Sequence, residues 1–578
     1  MNLIEVSLFV IAVVGVIALG IWKSSDEDKE GKNSASDYFL AGRGLTWWLV
    51  GFSLIAANIS TEQFVGMSGS AANWLGMAIA SYEWMAAVVL IIVAFWFLPR
   101  FLKAGLFTIP EFLEYRFDGV ARLAMAIPAI ITLVFVTTSS VIFSGGKFIS
   151  EYYHEVPVLN NLTVVCWLIA ILAAAYVFVG GLKACAWTDL VWGSALILGG
   201  IIIMAMAFSA LSNKSAEELI LTKVDNSEAT VSDLEEANAW ERLFLLNDGK
   251  DGEAVAKNGP NGSGGKLHMV RSKNDKEIPW TALLVGLWIP NFFYWGLNQY
   301  IVQRALGSKS LAEGQKGIVF AAALKLIIPF LVVIPGILAY NLFRDDLFNA
   351  TTGAYDYDRA FPVLVRNLIK PFPYISWFIL AALCGAVISS LASMLNSAST
   401  IATIDIYSKF SGEKDPAKLV KVGKGFVVLF VLMAALVAPA LNNFASIFSY
   451  IQEFQGFISA GILGVFIFGF FSPRTPRYFG AIGIGLNVFF YGFIKWVLGD
   501  IIIENGWWYA DQIAFLDRMG ICFFIVVIAG IILTLVKPMP KPVVMPENKQ
   551  IPLETSTGAK YCGIAVIVAT ILLYAMFW

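Results

Sequence analysis

Charge is scarce in this chain. Of its 578 residues only 14% are Asp, Glu, Lys or Arg and 58% are apolar, where soluble domains carry roughly 25% charged and about 45–50% apolar residues. That excludes an ordinary soluble enzyme. Histidine is scarcer still, with His154 and His268 the only two, so neither a histidine zinc site nor a Ser-His catalytic pair is expected. The five cysteines, Cys166, Cys185, Cys384, Cys522 and Cys562, stand singly in apolar runs without a CxxC pair. No disulfide framework and no thiolate metal site follow from them. The charges nearly cancel at −2, so no basic field draws nucleic acid.

Long uncharged runs fill the chain instead. Residues 123–146, 156–182, 190–213 and 371–404 carry no Asp, Glu, Lys or Arg, and each matches or exceeds the roughly 20 residues that cross a bilayer as a helix. Fourteen spans are predicted, at about 4–22, 46–70, 77–99, 121–147, 161–179, 187–210, 279–303, 317–341, 374–403, 425–441, 445–471, 478–498, 515–536 and 560–577. The chain reads as an all-α polytopic membrane protein. The first span lacks a basic leader and a small-residue cleavage site and runs into Lys23, so it reads as a retained helix.

With Met1 outside, the loops on the inner side collect 23 Lys/Arg, and the outer loops collect 4 once the long segment 211–278 is set aside. Long segments cross regardless of charge. Both termini are therefore expected outside a cell membrane. Segment 211–278 carries 22 of the 82 charges and Gly/Asn-rich stretches, the composition of an external, partly mobile insertion or small cap. Its GPNGSGGKL run fails the phosphate-loop register, because Pro260 stands where the first Gly belongs and Leu267 where Ser or Thr belongs. A Pro-rich inner linker, 537–560, is expected to be extended.

Several spans hold polar groups at lipid depth. The second reads GFSLIAANISTEQFVGMSGSAANW. Its small residues alone fit close helix packing, but Glu62 and Gln63 do not, since a charge at that depth costs at least about 2.5–3.5 kcal/mol. The stretch 56–60 is the candidate helix break, where freed carbonyls suit a hard cation. Pro290 predicts a second break beside Asn291 in the seventh span. Glu83, Asn291 with Tyr294, Lys325, and Gln452 with Glu453 add polar groups on four more spans. Together they point to one shared cavity suited to a neutral polyol, whose hydroxyls donate and accept and whose apolar face stacks on aromatics. In the ninth span Ser389 and Ser393 share a face with Ser390 beside it, hydroxyls placed to complete an oxygen cage for Na⁺.

The motifs AANISTEQFVGMSGS, ASYEWM, YWGLNQYIVQR, QKGIVFAA, SSLASMLNS and YIQEFQG together resemble the sodium/solute symporter family, and within it the bacterial sodium/galactose branch. The likeness runs from about 37 to 475 and is weak over 211–278 and 537–560. It implies a five-plus-five inverted-repeat, leucine-transporter-like fold with one helix before the repeats (46–210 and 279–471) and three accessory helices after, in 472–578. It implies sugar contacts at Gln63, Glu83, Asn291, Lys325 and Gln452, with Asn58 nearby. Tyr294 would close the site inward, and Met67, Tyr82 and Phe448 would form the outer gate. The carbonyls of Ala56, Ile59 and Ala386 with the hydroxyls of Ser389 and Ser390 would hold Na⁺, and Asp189 with Ser393 would mark its path or a second cation site. Ala86 stands where the branch has a site serine, and Pro290 where it has alanine. The expected function is Na⁺-coupled uptake of a neutral hexose, with myo-inositol, sialic acid or an amino acid as rival solutes. Neither an enzyme nor a transporter-like sensor is expected: the chain has no nucleophile and base pair, and its inner segments are short.

Overall fold

The computed structural model describes residues 3–25, 39–225, 227–249, 265–350, 353–444 and 446–578. Most of the GPNGSGGKL run and the inner-loop residues Lys29 and Lys32 lie outside them. Among the described residues helices dominate, and the strands are one two-residue antiparallel pair, Phe348–Asn349 with Ala354–Tyr355. Apolar runs in lipid have no water to satisfy their backbone, so each closes its hydrogen bonds within itself.

Among the described residues ten helices are long and apolar enough to cross a membrane, and they fall on the expected spans 3, 4, 6 and 8 to 14. Four shorter apolar helices, Glu5–Gly20, Trp47–Asn58, Leu162–Ala175 and Ala282–Leu297, fall on spans 1, 2, 5 and 7. Spans 5 and 6 form one helical run, Leu162–Asn213. A side chain at Gly145 would touch both Ile169 and Val387, and one at Gly199 would touch Ile379. Ile169 and Gly199 would be about 45 Å apart on a straight helix, but Ile379 and Val387 only about 12 Å. The run therefore folds back on itself into two spans.

Short polar residues begin many of the helices. Asp118, Asn161, Ser310, Ser446 and Ser556 each accept a hydrogen bond from a backbone N–H in the first turn, groups that would otherwise lack partners. Glycines set the closest approaches. A Cβ on Gly317 would lie 2.7 Å from the Trp47 carbonyl, and one on Gly336 would lie 2.4 Å from that of Ser68, so the eighth span packs directly on the second.

The second span breaks where expected. Trp47–Asn58 ends at Ile59, whose backbone is extended (φ −88°, ψ 104°), and the helix resumes at Thr61. The seventh span breaks eight residues later than expected. Pro290 lies inside the helical stretch Ala282–Leu297, just after the π turn Ala282–Gly286, and the helix runs through it; the interruption falls at Asn298 (φ −82°, ψ 122°). Among the described residues six π-helical turns punctuate the helices, including Gln63–Met67 and Thr132–Thr138.

The loops sort into two faces. On the cap face the 211–278 segment is ordered in its described parts: capping boxes at Thr230/Asp233 and Asn238/Glu241 start two short helices, and Arg242 donates to the carbonyls of Leu211, Ser212, Lys214 and Leu234. The chain end joins it, with the Met269 N–H donating to the Phe577 carbonyl at 2.7 Å. Glu5 sits on the same face, accepting from Ser376 at 2.9 Å. The opposite, linker face carries the extended 537–556 segment, tied to Arg474, Lys103 and Leu311 by backbone bonds.

Candidate functional site

The two interrupted helices meet spans 3, 4 and 11 around an empty space of about 570 Å³. The second span contributes Asn58, Glu62 and Gln63, the third Tyr82 and Glu83, and the fourth Thr137. Pro290, Asn291, Tyr294 and Trp295 come from the seventh, and Phe448, Ile451, Gln452 and Gln455 from the eleventh. Of the expected sugar contacts, Gln63, Glu83, Asn291, Gln452 and Asn58 all line it. Lys325 stands behind the wall, fully buried, donating to both Glu83 and Asn58 with its ammonium 4.7 Å from the Trp295 ring centre. Met67 is buried but is not among the lining residues.

The break explains several of these positions. Gln63 folds back so that its Oε1 accepts from the Ser60 N–H at 2.9 Å, satisfying a donor of the resumed helix. Its Nε2 donates to Glu62 Oε1 at 3.3 Å. Asn58, the last residue before the break, donates to the Tyr294 hydroxyl at 2.8 Å. Asn291 commits its amide N–H to the Leu287 carbonyl at 2.9 Å. The second carboxylate oxygen of Glu62, the carbonyl of Gln452 and the hydroxyl of Tyr82 are buried and have no partner within the described residues. Buried polar atoms left bare in a cavity are positioned for a ligand that donates to and accepts from them.

Aromatic rings close the space on both sides. Toward the cap face Tyr82 and Phe448 meet edge-on at 4.8 Å, and toward the linker face the hydroxyls of Tyr294 and Tyr300 bond to each other. Two carboxylates bracket Phe448. Asp358 Oδ2 accepts from the Ile447 N–H at 3.3 Å, and Glu277, at the end of the 211–278 segment, accepts from the Ser449 hydroxyl at 2.8 Å. Burial pushes both carboxyls up to about 7.

A second cluster lies between spans 2, 6, 7 and 9. The Ser390 hydroxyl stands 3.3 Å from the Ala56 carbonyl and 3.4 Å from that of Ala57, beside the Ile59 break and one turn after Ala386. Ser389 turns the other way and donates to Asp189. Asp189 also accepts from Ser53 and lies 3.4 Å from the Arg304 guanidinium, and neither Asp189 nor Arg304 is exposed at all. Arg304 further donates to Ser53, Ser393 and the Tyr300 carbonyl. The positive charge beside Asp189 and Ser393 is thus supplied by the chain itself, and a second cation there would meet the guanidinium.

Sequence reasoning counted Arg304 among inner-loop charges and passed over Ser53, Thr137 and Gln455. The end of the YWGLNQYIVQR motif was the one available pointer to Arg304. Glu453 departs from expectation: it faces away from the cavity and accepts from Arg518 at 2.7 Å, Lys495 at 3.0 Å and the Tyr491 hydroxyl at 3.0 Å. On the eleventh span Phe448, Ile451, Gln452 and Gln455 form the face that lines the cavity, and Glu453 projects from the other side of that helix.

The sequence profile of the sodium:solute symporter family matches residues 38–485. The chain belongs to the sodium:solute symporter family. This family member is 37% identical to a sodium/glucose cotransporter of Vibrio parahaemolyticus, over 100% of this chain and 99% of that one. It is 31% identical to an uncharacterized symporter of Escherichia coli K12, over 100% and 91%. Against a sodium/myo-inositol cotransporter of Oryctolagus cuniculus the identity is 29%, over 86% of this chain and 71% of that one. In fold, the symporter resembles a Na⁺-coupled sialic acid symporter solved in a substrate-bound outward-open state, with a TM-score of 0.71 at 20% identity over 94% of this chain and 99% of that one. It is a multi-pass membrane transporter with the leucine-transporter-like fold, and Na⁺ is its coupling ion.

Proposed function

We propose that this symporter couples Na⁺ entry to uptake of a neutral hexose, galactose or glucose, by alternating access. The carrying observation is the state of Lys325. The Glu83 carboxylate holds it behind the wall, so the cavity offers amides, hydroxyls and carboxylates but no cation of its own among the lining residues. A neutral polyol fits that set; a carboxylate-bearing solute such as sialic acid or an amino acid would lack a counter-charge. The cotransporter names of the Vibrio and mammalian relatives support the sugar reading.

In this reading Gln63, Glu83, Asn291 and Gln452 contact the sugar, with Asn58 beside them, and Lys325 holds Glu83 and Asn58 in place. Tyr82 and Phe448 form the outer gate, with Met67 packed behind, and Tyr294 closes the inner side. Na⁺ takes the carbonyls of Ala56, Ile59 and Ala386 and the hydroxyl of Ser390, joined by that of Ser389 once it turns from Asp189. The Ser390 hydroxyl, now shared between two carbonyls, turns its lone pairs to the ion. Na⁺ there ties the broken second span to the ninth and fixes Asn58 and Gln63 for sugar. Coupling follows because the ion binds one state better than the other. The membrane potential adds about 2.3 kcal/mol per charge per 100 mV, enough for tens-fold accumulation with one Na⁺. Asp189 and Ser393 line the ion's inward route in the state in which Arg304 has moved off them. The repeats are 46–210 and 279–471, and the cap face with both termini lies outside the cell.

The test is uptake of labelled galactose into liposomes holding the pure protein. An imposed Na⁺ gradient should drive accumulation that potassium cannot replace; uptake indifferent to Na⁺ would overturn the reading. A panel of unlabelled glucose, myo-inositol, sialic acid and proline then ranks the solutes, and stronger competition by sialic acid or proline than by glucose would exclude a neutral hexose.

A further inference from the structure

A second cavity, of about 900 Å³, opens on the cap face away from the central site. Its walls come from the end of the second span, the 211–278 segment, the end of the eighth span and the loop after it. Two cations define it. The Lys266 ammonium, 7% exposed as a residue, donates to the Ala72 carbonyl at 2.7 Å and stands 3.5 Å from the centre of the Tyr340 ring. The Arg344 guanidinium flanks the same ring at 5.9 Å and donates to the Tyr355 hydroxyl at 3.0 Å and the Leu221 carbonyl at 2.8 Å.

All of those acceptors are neutral. Among the described residues no carboxylate lies within ion-pair distance of either cation. Lys223 and Asp225 line the same cavity, and Lys223 donates to the Ala229 carbonyl at 3.0 Å. Taken together, three cations face one carboxylate. Burial and the neighbouring Arg344 push the Lys266 ammonium down to about 7: two like charges are held close, one of them out of water. An anion between them relieves both costs. The remaining wall is aromatic, with Trp74, Tyr340, Tyr355 and Tyr357, flat apolar faces and phenol hydroxyls of the kind that receive a pyranose ring.

We propose that this cavity binds a small hydroxylated carboxylate of the hexuronate class, its carboxylate between Lys266 and Arg344 and its ring against the tyrosines. The chemistry is the reverse of the central cavity, where the one lysine is already neutralised. The site adjoins the outer gate: Tyr357 precedes Asp358, which holds Ile447, and Lys266 fixes Ala72 at the end of the second span.

The experiment is calorimetric titration of the full chain in nanodiscs without Na⁺, in a Gln452→Ala background that weakens the central site. D-galacturonate should bind saturably, with galactose at least about tenfold weaker, and sulfate at matched ionic strength should not displace it. Lys266→Gln and Arg344→Gln should each weaken galacturonate by about tenfold or more. Lys266 also anchors Ala72, so Arg344→Gln decides the matter if Lys266→Gln fails to fold. In an otherwise native chain Arg344→Gln should retain Na⁺-driven uptake, which certifies its fold. Absent galacturonate binding, equal displacement by sulfate, equal affinity for galactose, or binding untouched by Arg344→Gln would each overturn the proposal. Because the titration uses no Na⁺, its outcome is independent of whether the central site carries a hexose.

Discussion

The central cavity and the Asp189 cluster are built from similar parts and end in opposite conditions. Each buries a carboxylate against a cation with hydroxyls around it: Glu83 with Lys325 in one, Asp189 with Arg304 in the other. In the cavity the pair is one wall of an empty space, and Glu62, Gln452 and Tyr82 keep polar atoms without protein partners. In the cluster Ser53, Ser389, Ser393 and the Tyr300 carbonyl close around the pair. A charge pair that is bonded on every side stabilises a conformation. One that leaves acceptors bare recruits a ligand.

Four substitutions separate these conditions, and the largest effect belongs to the cluster. Arg304→Ala strands a fully buried carboxylate, a loss of about 3–5 kcal/mol, read as a marked drop in thermal stability in detergent. Arg304→Met with Asp189→Asn should recover most of it, and an unchanged melting temperature in the single variant would erase the contrast. Next comes Lys325→Met. It should abolish sugar uptake while lowering stability less than Arg304→Ala, because Glu83 borders space that water can enter; equal losses of stability would make the two pairs alike. Gln452→Ala removes one bare acceptor, which predicts about tenfold weaker sugar binding with no change in stability, roughly the 1–1.5 kcal/mol of one hydrogen bond. The smallest effect is expected from Glu453→Gln, at the partly buried junction with Arg518 and Lys495, about 0.5–1 kcal/mol in stability with uptake intact. A transport defect there would put Glu453 back at the cavity.

Most of this fold was readable from where charge is missing, because lipid demands uninterrupted apolar helices and the turns between them collect the charges. The break in the second span was readable for a related reason: Asn58, Ser60 and Glu62 make no sense facing lipid. Reading failed where a local rule competed with tertiary context. Pro290 looked like the interruption of the seventh span, yet the helix runs through it behind a π turn, and the chain opens at Asn298, which no spacing rule marks. Arg304 looked like a surface charge orienting a loop, and only the packing of spans 2, 6, 7 and 9 brings it onto Asp189. Glu453 looked like part of the cavity because it follows Gln452. The π turns are invisible to a 3.6-residue pattern, and two cavity residues, Gln63 and Thr137, sit in them.

The extended linker of the last accessory helices is more than a connection. Its backbone is stitched to Arg474 through Met539, to Lys103 through Asn548 and to Leu311 through Pro552, and Ser556 reaches the Gln315 side chain. These anchor points belong to the ends of three different spans on one face, so the segment lies across that face like a leash. Any movement that parts residues 103–105 from 311–315 must first draw on its slack, and the length between stitches then sets how far that side of the protein can spread.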